Sequence, residues 1–331
     1  MKKKFVAFVI CLCMCLKIFG QNDQNEKILR IAQELTSIDT EEIVIKILGG
    51  GLTNVNYKVS VGDSSYFFRT VNNPNSILGS SLEREWLVTK HASQASIAPK
   101  VISYYPEDGV LVTEFIRAKS EKIDLRNKAT MTDFCRTISF LHELKVQFPT
   151  EYDPYSNIEN YLRSAHEIAV ELPDTLISIV LPTISTFQKI DLSSLNIANV
   201  PAHLDLHSGN ILDDGKQLWL IDWEYAAMAD PYFDLATLTA VEKFSAQEIR
   251  TLLKCYLNRD PKEEELAHFT RMCILADTRW ALWSFIQDKI SPLDAPYRTY
   301  GNAYVEHALE RISELNDSFS NVKIPGFVPT G

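Results

Sequence analysis

Short apolar runs separated by turn residues characterise the chain between residues 42 and 71. The segments 43–47, 57–61 and 66–71 each predict a strand, and Gly62-Asp63 predicts the turn between the last two. This order of strands and tight turns is typical of an antiparallel meander.

After these strands the pattern becomes helical over one segment and then returns to that of strands. Residues 82–92 predict a helix, and 100–105 and 110–116 predict two strands joined by a Pro-Glu-Asp-Gly turn. The first third of the chain is therefore expected to form a small antiparallel sheet that carries one helix.

Beyond Arg117 the apolar residues recur at helical spacing, as at Met131, Phe134, Ile138 and Leu141. Further helical stretches are predicted at 157–171, 175–189, 246–257 and 263–289. One β-rich insert, 210–223, interrupts them with an Asp213-Asp214-Gly215 turn.

The chain is thus predicted to have an α+β fold with two lobes and a boundary near residues 117–120. We assign residues 27–117 to an N-lobe, 118–316 to a mainly helical C-lobe and 317–331 to a C-terminal tail.

The N-terminal segment, residues 1–26, is set apart from the fold. Three lysines precede an apolar run, 5–16, which has the charge and length of a secretory signal and is too short to span a bilayer as a helix. Ile18 and Gly20 make a poor cleavage region. Export, membrane tethering and a wrongly started N-terminus remain alternatives, and we expect membrane association only through this segment.

Composition narrows the classes of partner. The 331 residues are 46% hydrophobic and carry a formal net charge of −10, so a nucleic acid is not expected to bind. A cationic ligand is favoured. The oligomeric state stays open.

A glycine-rich turn joins the first two predicted strands. Gly50 and Gly51 allow backbone N–H groups to approach phosphate oxygens closely, and Thr53 and Asn54 add hydrogen-bond donors. Glycine turns between strands are common, so an ordinary turn is the alternative to a phosphate site.

A more specific pattern is the segment His203-Leu-Asp-Leu-His-Ser-Gly-Asn210, followed by Ile221-Asp-Trp-Glu224. Phosphoryl transfer from ATP needs a carboxylate beside the acceptor hydroxyl and oxygen ligands for Mg²⁺. Asp205 can supply the first, and Asn210 and Asp222 the second, because a short hairpin would bring them together. The alternative is a polar loop whose side chains bond local backbone groups.

Two tryptophans, Trp280 and Trp283, share one helical face, and Tyr297 and Tyr300 follow shortly after. Such residues either continue an apolar core stripe or form a cage of ring faces that attracts a quaternary ammonium group.

The segments HLDLHSGN and IDWEYA closely resemble the motif pair of the choline/ethanolamine kinase and aminoglycoside phosphotransferase superfamily. The glycine loop, GGLTNVNY, is similar to that of choline kinases, and the resemblance extends over roughly residues 45–312. It implies a protein-kinase-like fold of two lobes and a reaction that uses ATP and Mg²⁺.

The resemblance also implies roles for individual residues. Asp205 matches the catalytic base, Asn210 and Asp222 match the metal ligands, and His203 resembles the residue that buttresses the catalytic loop. Three further residues are implied in nucleotide binding. Arg69 falls at the phosphate-binding position, Glu85 is its helix partner, and Glu114 lies in the adenine-binding hinge. For Arg69 and Glu85, a solvated surface ion pair is the alternative.

The segment WALWSFIQDKIS resembles that of choline kinases whose tryptophans face choline, and Tyr297, Tyr300 and Glu224 also match family positions. Ala295 and residues 235–241 depart from eukaryotic members, whereas 230–234 resembles the bacterial branch.

We therefore expect a kinase for a small cationic alcohol, with choline first. Ethanolamine, thiamine and an aminoglycoside are the alternative substrates, and an inactive kinase-like binding module is the alternative of another class. Because the reaction consumes ATP, a cytoplasmic location is expected, with export or tethering through residues 1–20 as its alternative.

Overall fold

The computed structural model of the protein describes residues 24–37, 42–48, 55–70, 81–120 and 122–319. The N-terminal run up to residue 23 and the predicted glycine turn, with Gly50, Gly51, Thr53 and Asn54, lie outside the described residues. What the sequence predicts for them stays a prediction.

The chain forms two compact units. The sheet unit comprises the chain up to Pro74 together with Lys100–Phe115, and the helical unit comprises Asn75–Pro99 together with the chain from Ile116 onwards. The predicted N-lobe included the segment 75–99, but its helix packs in the helical unit: Val88 and Ala92 are fully buried in the same apolar core as Phe134.

The sheet unit is built around five antiparallel strands in the order β1-β2-β3-β5-β4. Their bounds are β1 Ile43–Leu48, β2 Val55–Val61, β3 Ser64–Thr70, β4 Val101–Tyr105 and β5 Val110–Glu114. All five strands were predicted from the sequence, and the last ends two residues earlier than expected.

A helix over residues 24–36, α1, covers the sheet. Its apolar residues Ile28, Ile31 and Ala32 are buried in one cluster with Tyr57 and Phe68 of the sheet. Helix α1 was not predicted, because its first turn falls in residues 1–26, which were set apart from the fold.

Helices make up most of the helical unit. They are α2 Leu82–Gln94, α3 Lys128–Glu143, α4 Pro154–Glu167, α5 Leu181–Phe187, α6 Pro231–Glu242, α7 Ala246–Leu257, α8 Glu263–Ile290 and α9 Tyr297–Phe319. The predictions for α2, α3, α7 and α8 are confirmed. Local signals delimit them: Ser245 and Glu248 form a capping box at the start of α7.

Two of the predicted helices, α4 and α5, begin at other residues than the sequence predicted. The helix α4 begins three residues early, because Asp153 caps it and Pro154 occupies its first position. Before α5, residues Leu176–Val180 form a π-helical turn, next to Pro182, which lacks the N–H of a regular helix.

Helices α6 and α9 were not predicted. Residues on every side of α6 are buried, so its sequence lacks the apolar stripe of a surface helix. Helix α8, buried along most of its length, lies at the centre of the unit and packs against α4, α6 and α9.

Short strand pairs complete the helical unit. Strand β6, Val200–Ala202, pairs with β9, Ala227–Ala229, and β7, Ile211–Asp213, pairs with β8, Leu218–Leu220. The second pair is the predicted β-rich insert. Within the part of the chain that the structure describes, no helix has the length and apolar character needed to cross a bilayer.

Candidate active site

The polar loop, residues 203–210, connects β6 to β7 and carries the predicted chemistry. Side-chain nitrogen Nδ2 of Asn210 donates to the backbone carbonyl and to Oδ2 of Asp205, each at 2.9 Å. The backbone N–H of Ile221 donates to the Asn210 carbonyl at 3.0 Å, which extends the β7–β8 hairpin by one step. Asp222 follows directly, so the hairpin returns it to the polar loop as the sequence predicted.

Burial and two neighbouring ionisable groups, His207 and Asp222, act on the carboxyl group of Asp205. Its side chain is buried, and burial raises the pKa of its carboxyl group. His207 acts in the opposite direction, whereas the nearby Asp222 carboxylate raises this pKa further. The two carboxylates and the Asn210 amide therefore occupy one site.

Helix α6 holds the backbone of the polar loop through three of its side chains. Asp234 accepts the N–H groups of His203 (Oδ2, 3.0 Å) and Leu204 (Oδ1, 2.6 Å). Thr237 accepts the N–H of Leu206 at 3.2 Å, and Glu242 accepts that of Ser208 at 2.8 Å. These four hydrogen bonds fix the backbone of the polar loop at His203, Leu204, Leu206 and Ser208.

Asp234 and Thr237 are both fully buried, and Asp234 is the charged one of the two. Its Oδ2 also accepts a hydrogen bond from Nε2 of His142 at 3.0 Å. Burial opposes the charge of Asp234, but the hydrogen bonds from His142 and from the His203 backbone lower the pKa of its carboxyl group overall.

His203 links the polar loop to the segment after β8, which carries Asp222. Its Nε2 donates to the carbonyl of Ile221 at 2.9 Å, and its ring lies 4.6 Å from the ring of Trp223. The imidazole is fully buried. Its position is that of a brace between two segments, in line with the buttress that the resemblance implied.

His207 lies beside Asp205, with Nε2 4.0 Å from Asp205 Oδ2. Its Nδ1 accepts the N–H of Gly209 at 3.0 Å, so the ring proton of neutral His207 sits on Nε2. A side chain at position 209 would meet the His207 ring at 2.8–2.9 Å. A residue larger than glycine would therefore have to displace this ring.

Arg279 of α8 reaches the polar loop from another side. It is almost completely buried, and its Nη1 donates to the carbonyl of Leu204 at 2.6 Å. The guanidinium group also lies over the rings of Tyr225 (4.6 Å), Trp280 (4.7 Å) and Tyr152 (5.6 Å). The structure thus places a fixed positive charge next to Asp205.

Four rings form an aromatic cluster: Tyr225, Trp280, Trp283 and Tyr297. Consecutive rings in this order are 6.3, 5.7 and 5.9 Å apart, with interplanar angles of 87°, 79° and 69°. Among the described residues, the indole N–H groups of Trp280 and Trp283 have no acceptor. The predicted residues Trp280, Trp283 and Tyr297 are therefore brought together.

The other two predicted substrate residues, Tyr300 and Glu224, are not among the four rings of the aromatic cluster. Tyr300, one turn along α9 from Tyr297, is 44% exposed. Glu224 is buried, and its backbone carbonyl accepts a hydrogen bond from Arg84 at 3.0 Å. Its charge is also felt at the hydroxyl group of Tyr225, whose pKa is raised mainly by burial.

The predicted nucleotide residues lie in both units. Arg69, on β3, and Glu114, at the end of β5, belong to the sheet unit, and Glu85, on α2, belongs to the helical unit. Arg69 and Glu85 are buried, whereas Glu114 is exposed. Burial makes a solvated surface pair the less suitable interpretation of Arg69 and Glu85, and their pairing stays a prediction.

The donor set at the polar loop suits a hard cation. Both N–H groups of the Asn210 amide are directed to Asp205, so the amide oxygen is the end left to bind an ion, and the Asp222 carboxylate, which acts on the pKa of Asp205, is a second oxygen ligand available nearby. No cluster of three or more His, Cys, Asp or Glu side chains suited to a metal occurs in the described residues. Mg²⁺ is typically bound by one or two protein oxygen ligands together with the phosphate oxygens of a substrate.

Several residues of the site escaped the sequence analysis. They are Asp234, Thr237 and Glu242 on α6, Tyr225 and Arg279 at the aromatic cluster, and Tyr304 on α9. The pKa of Tyr304 is raised first by burial and then by the charges of Asp277 and Asp205. One signal was available: Arg279 is a charged residue within an apolar helical stretch, where an unpaired charge would be costly.

The chain is similar in sequence to known kinases. The family model described as choline/ethanolamine kinase matches residues 45–278. Protein LicA of Haemophilus influenzae is 23% identical over 280 residues, covering 80% of this chain and 76% of the relative. A probable ethanolamine kinase of Arabidopsis thaliana is 26% identical over 293 residues, covering 80% and 78%.

Solved structures share the fold. The choline kinase LicA of Streptococcus pneumoniae superposes with a TM-score of 0.74 at 22% identity, covering 88% of this chain and 99% of that one. A LicA structure in complex with AMP gives 0.68 at 21% identity, covering 86% and 97%. The predicted α+β, protein-kinase-like fold is confirmed by this likeness.

Proposed function

The chain belongs to the choline/ethanolamine kinase family, and from this premise we propose that it transfers the γ-phosphate of ATP to the hydroxyl group of a small cationic alcohol, with choline preferred. The observation that carries the proposal is the joint position of Asp205, Asn210 and Asp222 at the polar loop. Phosphoryl transfer needs these groups together.

Asp205 is the proposed catalytic base. Its carboxylate orients the acceptor hydroxyl and takes its proton as the bond to phosphorus forms. Burial and the Asp222 carboxylate raise the pKa of the Asp205 carboxyl group, whereas the Arg279 guanidinium group lowers it and so favours the ionised form. The hydrogen bond from Asn210 holds Oδ2, so Oδ1 is the atom that we assign to the substrate.

Asn210 and Asp222 are the proposed ligands of Mg²⁺. When bound, Mg²⁺ neutralises charge on the phosphates of ATP and holds them in line for transfer. His203 and Asp234 keep the two ligand-bearing segments in place through their buried hydrogen bonds.

For the nucleotide, we assign the phosphates to Arg69 and the glycine turn with Gly50, Gly51, Thr53 and Asn54. The backbone at Glu114 would bind adenine, and Glu85 keeps the nucleotide-binding role that the resemblance implied. The AMP complex of a structural neighbour supports an adenine nucleotide as the donor. A need for ATP also favours the cytoplasm as the location, which cell fractionation would test.

For the acceptor, we assign the cationic head to the aromatic cluster and to Tyr300, the exposed ring one turn along α9 from Tyr297. The rings contact one another edge to face at about 6 Å, and each ring face attracts a desolvated cation by about 0.5–2 kcal/mol. Choline carries the quaternary ammonium group that such faces bind without hydrogen bonds.

Ethanolamine is the second candidate acceptor, because of Glu224. A primary ammonium group needs hydrogen-bond acceptors, and a buried carboxylate acting on Tyr225 lies next to the aromatic cluster. The ethanolamine kinase relative agrees with this candidate.

A phosphorylation assay with choline, ethanolamine, thiamine and an aminoglycoside tests the proposal. We expect Mg²⁺-dependent formation of phosphocholine, with the highest kcat/KM for choline. A higher value for ethanolamine would reverse the order of the two candidates. Absence of ATP consumption with all four alcohols, in protein that binds ATP, would favour the inactive binding module instead.

A further inference from the structure

Leu204, the residue immediately before Asp205, has an unusual backbone. Its φ angle is +63°, in the left-handed region, and its side chain is fully buried. Residues other than glycine disfavour this conformation because their Cβ comes too close to the following carbonyl oxygen. Neighbouring groups must therefore hold Leu204, and the direction of the following Asp205 side chain depends on them.

Two buried side chains hold the peptide groups of Leu204. Its N–H donates to Oδ1 of Asp234 at 2.6 Å, and its carbonyl accepts from Nη1 of Arg279 at 2.6 Å. The first partner is on α6 and the second on α8. Both bonds involve a charged group and are therefore stronger than bonds between neutral groups.

The same guanidinium group contacts the aromatic cluster. Its centre lies 4.6 Å from the ring of Tyr225 and 4.7 Å from that of Trp280. A planar guanidinium can donate in its plane while its faces stack on rings, which a lysine ammonium cannot reproduce. Arg279 therefore touches both the polar loop and the rings that we assign to the substrate.

We propose that Arg279 is a positioning residue, which holds Leu204 in its left-handed conformation and so sets the Asp205 carboxylate relative to the aromatic cluster. This inference rests on the proposed function. Arg279 acts through Leu204 and exchanges no proton with the substrate.

Arg279→Lys and Arg279→Met test the role by kinetics. Both variants should lower kcat about 10- to 100-fold, the loss expected for one charged hydrogen bond at a site that requires accurate orientation. The KM for ATP should stay within about twofold. Arg279→Lys keeps the positive charge, so an equal loss in both variants would show that the planar fork is what matters.

Arg271 provides the matched control. It lies two turns earlier on α8, is 3% exposed compared with 1% for Arg279, and its Nη1 has no partner among the described residues. Arg271→Lys and Arg271→Met should keep kcat within about twofold. Thermal unfolding of all four variants separates loss of folded protein from loss of turnover.

A structural readout keeps the role of Arg279 distinct from the proposed function. A crystal structure of Arg279→Lys should show a changed φ at Leu204 or a lost contact between Asn210 and Asp205. Wild-type kcat in both Arg279 variants, or an unchanged polar loop in that crystal structure, would overturn the inference. If the wild type phosphorylates no alcohol, the proposed function fails, and the crystal structure alone still decides whether Arg279 sets the loop.

Discussion

Asn210 donates both N–H groups of its side chain to Asp205, one to the backbone carbonyl and one to Oδ2, each at 2.9 Å. This pairing orients two proposed functional groups at once. It holds the Asp205 carboxylate and turns the Asn210 oxygen away from Asp205. The roles of base and metal ligand are therefore structurally coupled across five residues.

Asp205→Asn should reduce kcat by at least about 10²- to 10⁴-fold, because an amide cannot accept the hydroxyl proton. ATP binding and thermal unfolding should change little, since Asn keeps the shape of Asp. Asp133→Asn, at an exposed ion pair on α3, is the control and should keep full activity. Steady-state kinetics with isothermal ATP titration measure both effects, and appreciable turnover by Asp205→Asn would remove Asp205 from the role of base.

Asp222→Asn should raise the Mg²⁺ concentration for half-maximal activity by at least about tenfold, since even changes outside the coordination sphere cost 10- to 100-fold in metal affinity. Asn is the suitable replacement because Asp222 has a φ of +67°, which Asn tolerates. Chelation should stop the wild type, and added Mg²⁺ should restore it.

Asp260→Asn, whose carboxylate forms an exposed pair with Lys254, should leave the Mg²⁺ requirement unchanged. An identical Mg²⁺ titration for Asp222→Asn and wild type would exclude Asp222 as a ligand.

Trp283→Leu should raise the KM for choline about 2- to 30-fold, which corresponds to loss of one cation–π contact. Trp283 is more informative than Trp280, because Arg279 lies over the Trp280 ring. The control is Trp219→Leu, on β8, where the indole N–H donates to Asp214. If both variants keep the wild-type KM for choline, the cation does not bind at Trp283.

Asp234→Asn should lower the free energy of unfolding at neutral pH by about 3 kcal/mol, because it removes the charged partner of buried groups. The folded-state pKa of Asp234 is lowered. Its contribution is therefore fully present above the ordinary aspartate value, about 3.9, and is lost as pH falls through the lower folded value.

The variant should accordingly lose less stability than the wild type over that acidic window, which urea denaturation at several pH values measures. Asp277→Asn, which breaks a buried pair with Arg311 between α8 and α9, is the control. It should be destabilised similarly yet keep a higher kcat than Asp234→Asn, because the N–H groups of the polar loop keep their acceptor. Equal kcat values would contradict the role of α6 in holding the loop.

Local patterns were sufficient for much of the fold. The strands of the sheet unit and helices α3, α7 and α8 follow from short-range periodicity, turn residues and caps, which depend on neighbours a few residues apart. Helix α6 was missed because it is buried on every side, and periodicity reports only a contrast between a buried and an exposed face.

The sequence by itself determined the order of the polar groups in His203–Asn210 and the return of the chain to Asp222, because a hairpin is a local structure. Tertiary structure alone decided what holds them. The partners of Leu204 are 30 residues away at Asp234 and 75 residues away at Arg279, and such pairs form only when separate helices pack into one core. Spacing along the chain carries no record of that packing, so residue order could indicate the chemistry while the support of the polar loop emerged only from the folded chain.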